Sequence, residues 1–112
     1  MAPSSMTDQT FLVLSALAGG PAHGYALISE VSSLSGGQTT MRVGTLYGIL
    51  DRLSAQQLIE VDREEVVDSR MRRYYRLAAS GVEVLHTEAT KRHEQAGAAL
   101  TRVRRIQPGL SS

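Results

Sequence analysis

The chain has 112 residues, of which 42% are apolar and 21% charged, a composition typical of one globular domain. Its 12 basic and 11 acidic residues give a net charge of +1, but residues 1–41 carry −2, whereas residues 42–112 hold all 12 basic residues and carry +3. The absence of Cys excludes disulfide scaffolds, thiolate nucleophiles and Cys-based zinc sites. No apolar run approaches the roughly 20 residues that span a bilayer, so a cytoplasmic protein without membrane contact is expected.

Turn residues and apolar periodicity divide the chain into helices and a hairpin. Thr7 or Asp8 can cap a first helix, which ends at Gly19-Gly20-Pro21. The apolar spacing predicts further helices over about 23–34, 43–56 and 79–106, and two short strands at 58–63 and 71–77 joined by a longish loop, 64–70. The Ser-, Pro- and Gly-rich ends, residues 1–6 and 107–112, are expected to be flexible.

The order of three helices, a hairpin and a long helix predicts a mostly α fold with a small β-hairpin, in the α+β class. Two helices with a short Gly-containing connection, followed by a hairpin, form a winged helix-turn-helix. We assign this domain to residues 7–78 and a separate C-terminal helix to residues 79–106. Periodicity alone is also compatible with another small α+β domain.

Three residue blocks occur in order between about residues 10 and 85. They are Gly20-Pro21-Ala22-His23-Gly24-Tyr25, Gly44-Thr45-Leu46-Tyr47 and Arg73-Tyr74-Tyr75-Arg76-Leu77. Together they resemble the PadR family of bacterial transcriptional regulators, in particular its smaller subfamily with a single C-terminal helix. The resemblance implies a winged-helix DNA-binding domain, a C-terminal helix that mediates homodimerisation, and repression of nearby genes that a small molecule relieves.

The chain departs from the family pattern at three positions. Arg42-Val43 stand where the family often has Ser or Pro, so the N-cap expected before the third helix is missing. Gln57 replaces a Gly suited to a left-handed turn, and a residue with a Cβ costs about 1 kcal/mol in that conformation. Ala78 replaces the Thr that usually caps the last helix.

The start of the third helix carries the candidates for reading DNA bases. A recognition helix contacts base edges through short polar or basic side chains near its N-terminus. The residues in this first turn are Arg42, Thr45, Tyr47 and Gly48. Tyr47 could equally pack in the core while its hydroxyl meets a phosphate. Arg52, further along the helix, fits a salt bridge or a solvated charge better than a base contact.

Four arginines lie within the seven residues from Arg70 to Arg76. Arg70, Arg72 and Arg73 are the candidates for contacts with the phosphate backbone, which give affinity and salt dependence rather than sequence choice. The alternative is that nearby acids neutralise these arginines across the hairpin. Those acids are Asp62, Glu64, Glu65 and Asp68.

The polar residues form no catalytic or metal-binding pattern. His23 follows a Gly-Pro turn and has no metal-ligand partner at suitable spacing, so we interpret it as a structural residue. His86 and His93 would lie about 10 Å apart along a helix, too far to share one metal ion. In the absence of a P-loop, a Ser-His-Asp set or paired carboxylates, we expect no enzyme activity, metal or cofactor.

The last helix has apolar residues at seven-residue spacing, which favours packing against a partner helix. Small residues at this seam bury little area, so the first helix is expected to supply further apolar surface. The predicted dimer interface comprises Phe11, Leu12, Leu14, Val82, Leu85, Ala89, Ala96, Leu100 and Val103. The alternative is a monomer whose last helix folds back on its own core.

These features predict a homodimeric repressor that binds a palindromic or pseudo-palindromic operator in double-stranded DNA. A small-molecule effector is expected at the dimer interface, but without Trp the chain cannot stack a planar drug between indole rings. The alternative is a protein–protein interaction module that docks an acidic partner through its basic wing. Sequence preference in DNA binding distinguishes the two.

Overall fold

The computed structural model describes residues 6–109. Its elements are α1 (Asp8–Ala18), α2 (Gly24–Leu34), α3 (Val43–Ala55), β1 (Ile59–Val67), β2 (Arg70–Leu77) and α4 (Ala79–Ile106). This order confirms the predicted mostly α fold with a small hairpin. The predicted flexibility of the two ends falls largely on residues 1–5 and 110–112, which lie outside the described residues.

Local signals set the start and the end of α1. The Thr7 hydroxyl oxygen accepts a hydrogen bond from the backbone N–H of Thr10 at 3.1 Å, so Thr7 is the N-cap. Asp8 occupies the first turn, where its negative charge interacts favourably with the helix dipole. The helix ends before Gly20, whose φ of 135° is accessible to glycine and strained for residues with a Cβ.

The core lies between α1, α2 and α3 and is closed by the hairpin. Its fully buried side chains are Val13, Leu14, Leu27, Val31, Leu46, Leu50 and Leu53. Each such aliphatic side chain stabilises the fold by about 1.5–3 kcal/mol through its removal from water. Leu14 has no exposed surface, which corrects its predicted place in a dimer interface. Because α1 is apolar on most of its circumference, periodicity did not distinguish the side that faces the protomer's own core.

The hairpin is longer than predicted and has a tighter turn. β1 ends at Val67 and β2 begins at Arg70, so the turn consists of only two residues, Asp68 and Ser69. Their φ values of 51° and 65° are those of a two-residue turn whose twist matches that of the strands. The predicted loop over 64–70 is therefore wrong. Opposite charges such as Glu64 and Arg73 face each other across the strands, and this pairing compensates for the low strand preference of Glu.

A bulge and a bridge position the hairpin on the helices. The register shifts between Val61 and Arg63, so Asp62 is the extra residue of a β-bulge. Ala22, which precedes α2, exchanges two backbone hydrogen bonds of 2.9 and 3.0 Å with Tyr75 of β2. The hairpin, hereafter called the wing, is thereby held beside the start of α2.

Close backbone contacts join the wing to α4. Gln57 adopts the left-handed conformation, with a φ of 61°, so the turn is retained without glycine. The Leu58 carbonyl oxygen accepts a hydrogen bond from the N–H of Ala78 at 3.0 Å, and α4 begins there without a side-chain cap. Gly81 lies directly against the same Leu58 carbonyl, and a Cβ at position 81 would collide with it.

The two halves of α4 have different surroundings. Leu85 packs against the core and Arg92 reaches the start of α1. By contrast, every residue from 93 to 106 is exposed. Although α4 has 28 residues, neither it nor any other helix of the described chain is long and apolar enough to cross a membrane.

Candidate nucleic-acid interface

One face of α3 packs in the core and the opposite face meets solvent. The buried face consists of Leu46, Ile49, Leu50 and Leu53. The exposed surface at the start of the helix holds all the residues predicted to read DNA: Arg42, Thr45, Tyr47 and Gly48. No side chain caps the first backbone N–H groups of α3, because Arg42 stands at the N-cap position. This end of the helix is therefore open to an approaching base edge or phosphate.

Tyr47 packs on the surface of the protomer without entering its core. Its side chain is 44% exposed, and its hydroxyl lies over Gly24, the first residue of α2. A Cβ on Gly24 would stand 2.6 Å from that hydroxyl oxygen, so glycine makes room for the tyrosine. The phenol group thus lies across the junction of α2 and α3.

A groove of about 600 Å³ separates the start of α2 and Tyr47 from the wing. Its lining residues are His23, Gly24, Tyr25, Tyr47, Val67, Asp68, Arg70, Met71, Arg72 and Arg73. All three arginines predicted to contact phosphates therefore line one groove together with part of the predicted recognition surface.

Aromatic contacts hold the wing beside α2. The rings of His23 and Tyr74 meet edge to face with 5.2 Å between their centroids. The guanidinium carbon of Arg63 lies 3.9 Å from the centroid of the Tyr74 ring. Partial burial lowers the pKa of His23 below its ordinary value of 6.5, and the positive charge of Arg72 lowers that pKa further. These contacts agree with the interpretation of His23 as a structural residue.

Acids hold the arginines at the end of the wing nearest α4. Arg76 donates to Glu60 and to Asp62 at 2.9 Å each, and Arg73 donates to Glu64 at 3.0 Å. The hydrogen bond from Arg76 holds the pKa of Asp62 below its ordinary value, so this carboxylate is ionised at neutral pH. The positive charge here is therefore matched by negative charge.

The two arginines nearest the turn have no such partners. Glu65 faces Arg72 in the strand register, but its carboxylate accepts a hydrogen bond from the Nε of Arg63 at 2.8 Å. Within residues 6–109, neither Arg70 nor Arg72 forms an ion pair. Neutralisation by the hairpin acids therefore applies to one end of the wing and leaves the other end positive.

Arg52, in the last turn of α3, donates to the Thr10 hydroxyl of α1 at 3.3 Å. Of the two alternatives expected for Arg52, the salt bridge is not formed within residues 6–109. The residue is exposed, as expected for a solvated charge, and it forms one hydrogen bond to a neutral side chain. This contact connects the end of α3 to α1. The candidate recognition surface therefore consists of residues at the start of α3 and does not include Arg52.

The sequence assigns no role to Arg92 of α4. Its guanidinium donates to the carboxylates of Asp8 at 2.7 Å and Glu88 at 2.8 Å, and to the Met6 carbonyl at 2.9 Å. The same group lies 4.4 Å from the ring centroid of Phe11. Arg92 thus connects the middle of α4 to the start of α1.

Two exposed residues next to the predicted recognition set were also overlooked. Tyr25, the second residue of α2, is 72% exposed, and Val43, the first residue of α3, is 48% exposed. The sequence places Tyr25 in a motif block and Val43 at a departure from the family pattern, but neither residue was predicted to belong to a binding surface. As for metals, the described part of the chain has no cluster of three His, Cys, Asp or Glu side chains suited to an ion.

Residues 13–87 match the model of the Transcriptional regulator PadR-like family. This match covers more than half of the chain, and the chain belongs to the PadR-like family. The members of this family are transcriptional regulators and not enzymes.

The chain is also similar to individual proteins and solved structures. A 37.1 kDa protein in a transposon of Streptomyces fradiae is 40% identical over 82 residues, which is 73% of this chain and 22% of that protein. The structure of a PadR family regulator from Eggerthella lenta is 28% identical, with a TM-score of 0.67, over 86% of this chain and 84% of its own. Bacillus subtilis PadR in complex with operator DNA is 23% identical, with a TM-score of 0.62, over 70% of this chain and 44% of its own. The chain spans about a fifth of the curated relative and less than half of the Bacillus subtilis structure.

Proposed function

We propose that this chain is a homodimeric transcriptional repressor that binds a palindromic or pseudo-palindromic DNA operator. The observation that carries the proposal is the groove that combines Tyr47 and the start of α2 with the unpaired Arg70 and Arg72. With α3 in the major groove, the wing would meet the phosphates beside it. The fold similarity to a PadR in complex with operator DNA supports this use of the surface.

Residues at the start of α3 would have distinct roles on DNA. Arg42 and Thr45 would offer hydrogen-bonding groups to base edges, whereas the Tyr47 hydroxyl would meet a phosphate. A Cβ on Gly48 would meet no atom of the chain within 4 Å, so packing within the protomer does not require glycine there. Close approach of the α3 backbone to DNA would explain why position 48 is a glycine.

The dimer would form through α4, assigned to residues 79–106, and leave residues 7–78 to bind DNA. Val103 and Ile106 lie on the seven-residue apolar repeat and are 42% and 77% exposed. Leu100, which lies beside this repeat, is 47% exposed. A helix folded back on its own core would not leave 93–106 exposed, which favours the dimer over the monomer. The proposed contacts are Phe11, Leu12, Val82, Leu85, Ala89, Ala96, Leu100 and Val103.

Two-fold symmetry would place the two copies of α3 about 34–36 Å apart, in successive major grooves of one face of the duplex. A small-molecule effector at the dimer interface would release DNA if it favoured a different separation of the two α3 helices. By linkage, it could weaken DNA binding only as far as it prefers the non-binding arrangement.

Competition binding tests the proposal. The full chain is incubated with a random-sequence duplex pool, and the selected duplex is then competed against a scrambled duplex of equal length. We expect strong preference for the selected duplex, a palindromic consensus, and a stoichiometry of two chains per duplex. Equal affinity for both duplexes would contradict operator binding and favour the alternative, an acidic protein docked on Arg70 and Arg72.

Repression is tested separately from binding. A reporter gene carrying the selected duplex in its promoter should be silenced by the chain, whereas a reporter carrying the scrambled duplex should not be. The Thr45→Ala variant is expected to lose discrimination at one operator position. Activation of the reporter by the wild-type chain would contradict the repressor role while leaving operator binding intact.

A further inference from the structure

We infer that Val43 and Tyr25 form an apolar contact site for the 5-methyl group of a thymine in each operator half-site. This inference rests on the proposed function and deepens it, because it names one base feature that the protein reads. The candidates for base reading considered above are polar, whereas this site is apolar.

The site is a shallow cavity of about 130 Å³ at the junction of α2 and α3. Its lining residues are Gly24, Tyr25, Ile28, Val43 and Tyr47. Val43 and Tyr25 are the first and second residues of their helices and are 48% and 72% exposed, so the apolar surface is open to solvent in the protomer. It is thus distinct from the core, which contains neither residue.

The position of this apolar surface restricts what it can bind. Arg42 directly precedes Val43 at the start of α3, and Tyr47 lines both this cavity and the groove that holds Arg70 and Arg72. The flanking cations attract an anionic ligand, while the carbon atoms of Val43 and of the Tyr25 ring offer a contact to an apolar group. In the DNA major groove, the thymine methyl is the apolar group that base edges present. The combination of flanking positive charge and a shallow apolar cavity therefore fits the methyl group of a thymine in duplex DNA.

The side chain of Val43 is suited to a discriminating contact. A β-branched residue in a helix has one strongly preferred rotamer, so little conformational freedom is lost when a methyl group packs against it. Burial of one methyl-sized group corresponds to about a fourfold change in affinity, or roughly fifteenfold when both half-sites of a dimer are affected.

The experiment replaces thymines of the selected duplex with deoxyuridine, one symmetric pair at a time. Deoxyuridine keeps every hydrogen-bonding group of thymine and lacks only the methyl group. For the wild-type chain we expect one position per half-site at which the replacement weakens binding by roughly fifteenfold. The Val43→Ala variant should bind the thymine duplex about as weakly and should not respond to deoxyuridine at that position.

Two variants serve as controls. Leu34→Ala removes a similarly exposed apolar side chain at the far end of α2 and should keep the full response to deoxyuridine. Tyr25→Phe keeps the apolar ring and should also keep the response, whereas Tyr25→Ala should reduce it. Helical circular dichroism of each variant verifies that the fold is retained.

The outcomes separate the inference from the proposed function. If the wild type prefers the selected duplex but no deoxyuridine position weakens it, the thymine contact is refuted and operator binding stands. The same conclusion follows if Val43→Ala responds to deoxyuridine as strongly as the wild type does. If the wild type prefers no sequence, the proposed function fails and the thymine contact fails with it.

Discussion

The base and the tip of the wing share the same two strands but differ in how their charges are matched. At the base, Arg76 is held by Glu60 and Asp62. At the tip, Arg70 and Arg72 have no acidic partner among the described residues, although Glu65 lies opposite Arg72 in the register. The difference arises because Arg63 takes the Glu65 carboxylate, at 2.8 Å.

This comparison shows that a run of arginines can serve two purposes within eight residues of strand. At the base, matched charges join the two strands of the wing to each other. The backbone bridge between Ala22 and Tyr75 and the buried Tyr75 side chain connect the wing to the body. The tip keeps uncompensated charge next to the start of α2. The predictions below test whether the base is structural and the tip functional.

The largest expected effect is on stability and lies next to the base of the wing, where Gly81 of α4 meets Leu58, the residue before β1. Gly81→Ala would place a Cβ against the Leu58 carbonyl, and neither backbone segment can move without disturbing the start of α4. We expect the free energy of unfolding to fall by roughly 3 kcal/mol, as measured by urea denaturation. The matched control is Gly97→Ala in the same helix, where a Cβ would meet nothing within 4 Å. That variant should gain about 0.5–1 kcal/mol from helix propensity, and equal effects of the two would contradict the close contact at the base.

The next largest effect is on the salt dependence of DNA binding, which should differ between a variant at the tip and a variant at the base. Arg72→Ala should weaken binding to every duplex and reduce the slope of log K against log salt by about one unit, because one phosphate contact is lost. Arg76→Ala should leave the slope unchanged, since its charge is already matched by Glu60 and Asp62. Titrations of both variants at several salt concentrations provide the measurement. A loss of slope in Arg76→Ala alone would reverse the assignment of the two ends.

A smaller effect tests whether the ion pair between Arg63 and Glu65 prevents Glu65 from neutralising Arg72 at the tip. In Arg63→Met the Glu65 carboxylate loses its partner and can turn to Arg72, its neighbour across the strands. The salt slope should then fall by less than one unit, although Arg63 itself is not assigned a phosphate contact. The double variant Arg63→Met with Glu65→Gln should regain the wild-type slope. Failure of this rescue would mean that Arg63 touches DNA directly.

The smallest effect is a change in the pKa of His23, which reports on the tip without DNA. Burial and the Arg72 charge hold this pKa below 6.5, so near that pH the native chain binds fewer protons than the unfolded chain. The contribution of His23 to stability is therefore present above pH 6.5 and declines as the pH falls below it toward the folded pKa.

Variants at the two ends of the wing should affect this titration differently. Arg72→Ala should raise the pKa of His23 toward 6.5 and reduce the associated pH dependence of stability, while Arg76→Ala should leave the pKa where it is. An NMR titration of the His23 ring measures both. An unchanged pKa in Arg72→Ala would place Arg72 away from His23 and outside the groove.

Much of the fold could be read from local signals. Thr7 and Gly20 mark the two ends of α1, and the apolar spacing of α3 separates its buried face from the surface that holds Thr45. These features depend on residues a few positions apart, which is the range over which propensity and periodicity operate. The motif blocks also identified the family, which residues 13–87 confirm.

Other features depend on contacts between distant residues. Whether Leu14 faces its own core or a partner depends on how α1 packs, because that helix is apolar on several sides. Arg92 meets Asp8 across 84 positions of sequence, which no local pattern records.

By itself, the sequence determined the order of the elements, the family and the placement of DNA-reading candidates at the start of α3. Only the tertiary structure decided which of the clustered arginines keep a free charge. The physical reason is that several acids and arginines compete within one hairpin, and the bulge at Asp62 together with the strand register decides which of them meet. The net charge of +1, summed over the whole chain, does not reveal that the base of the wing is neutralised while its tip is positive.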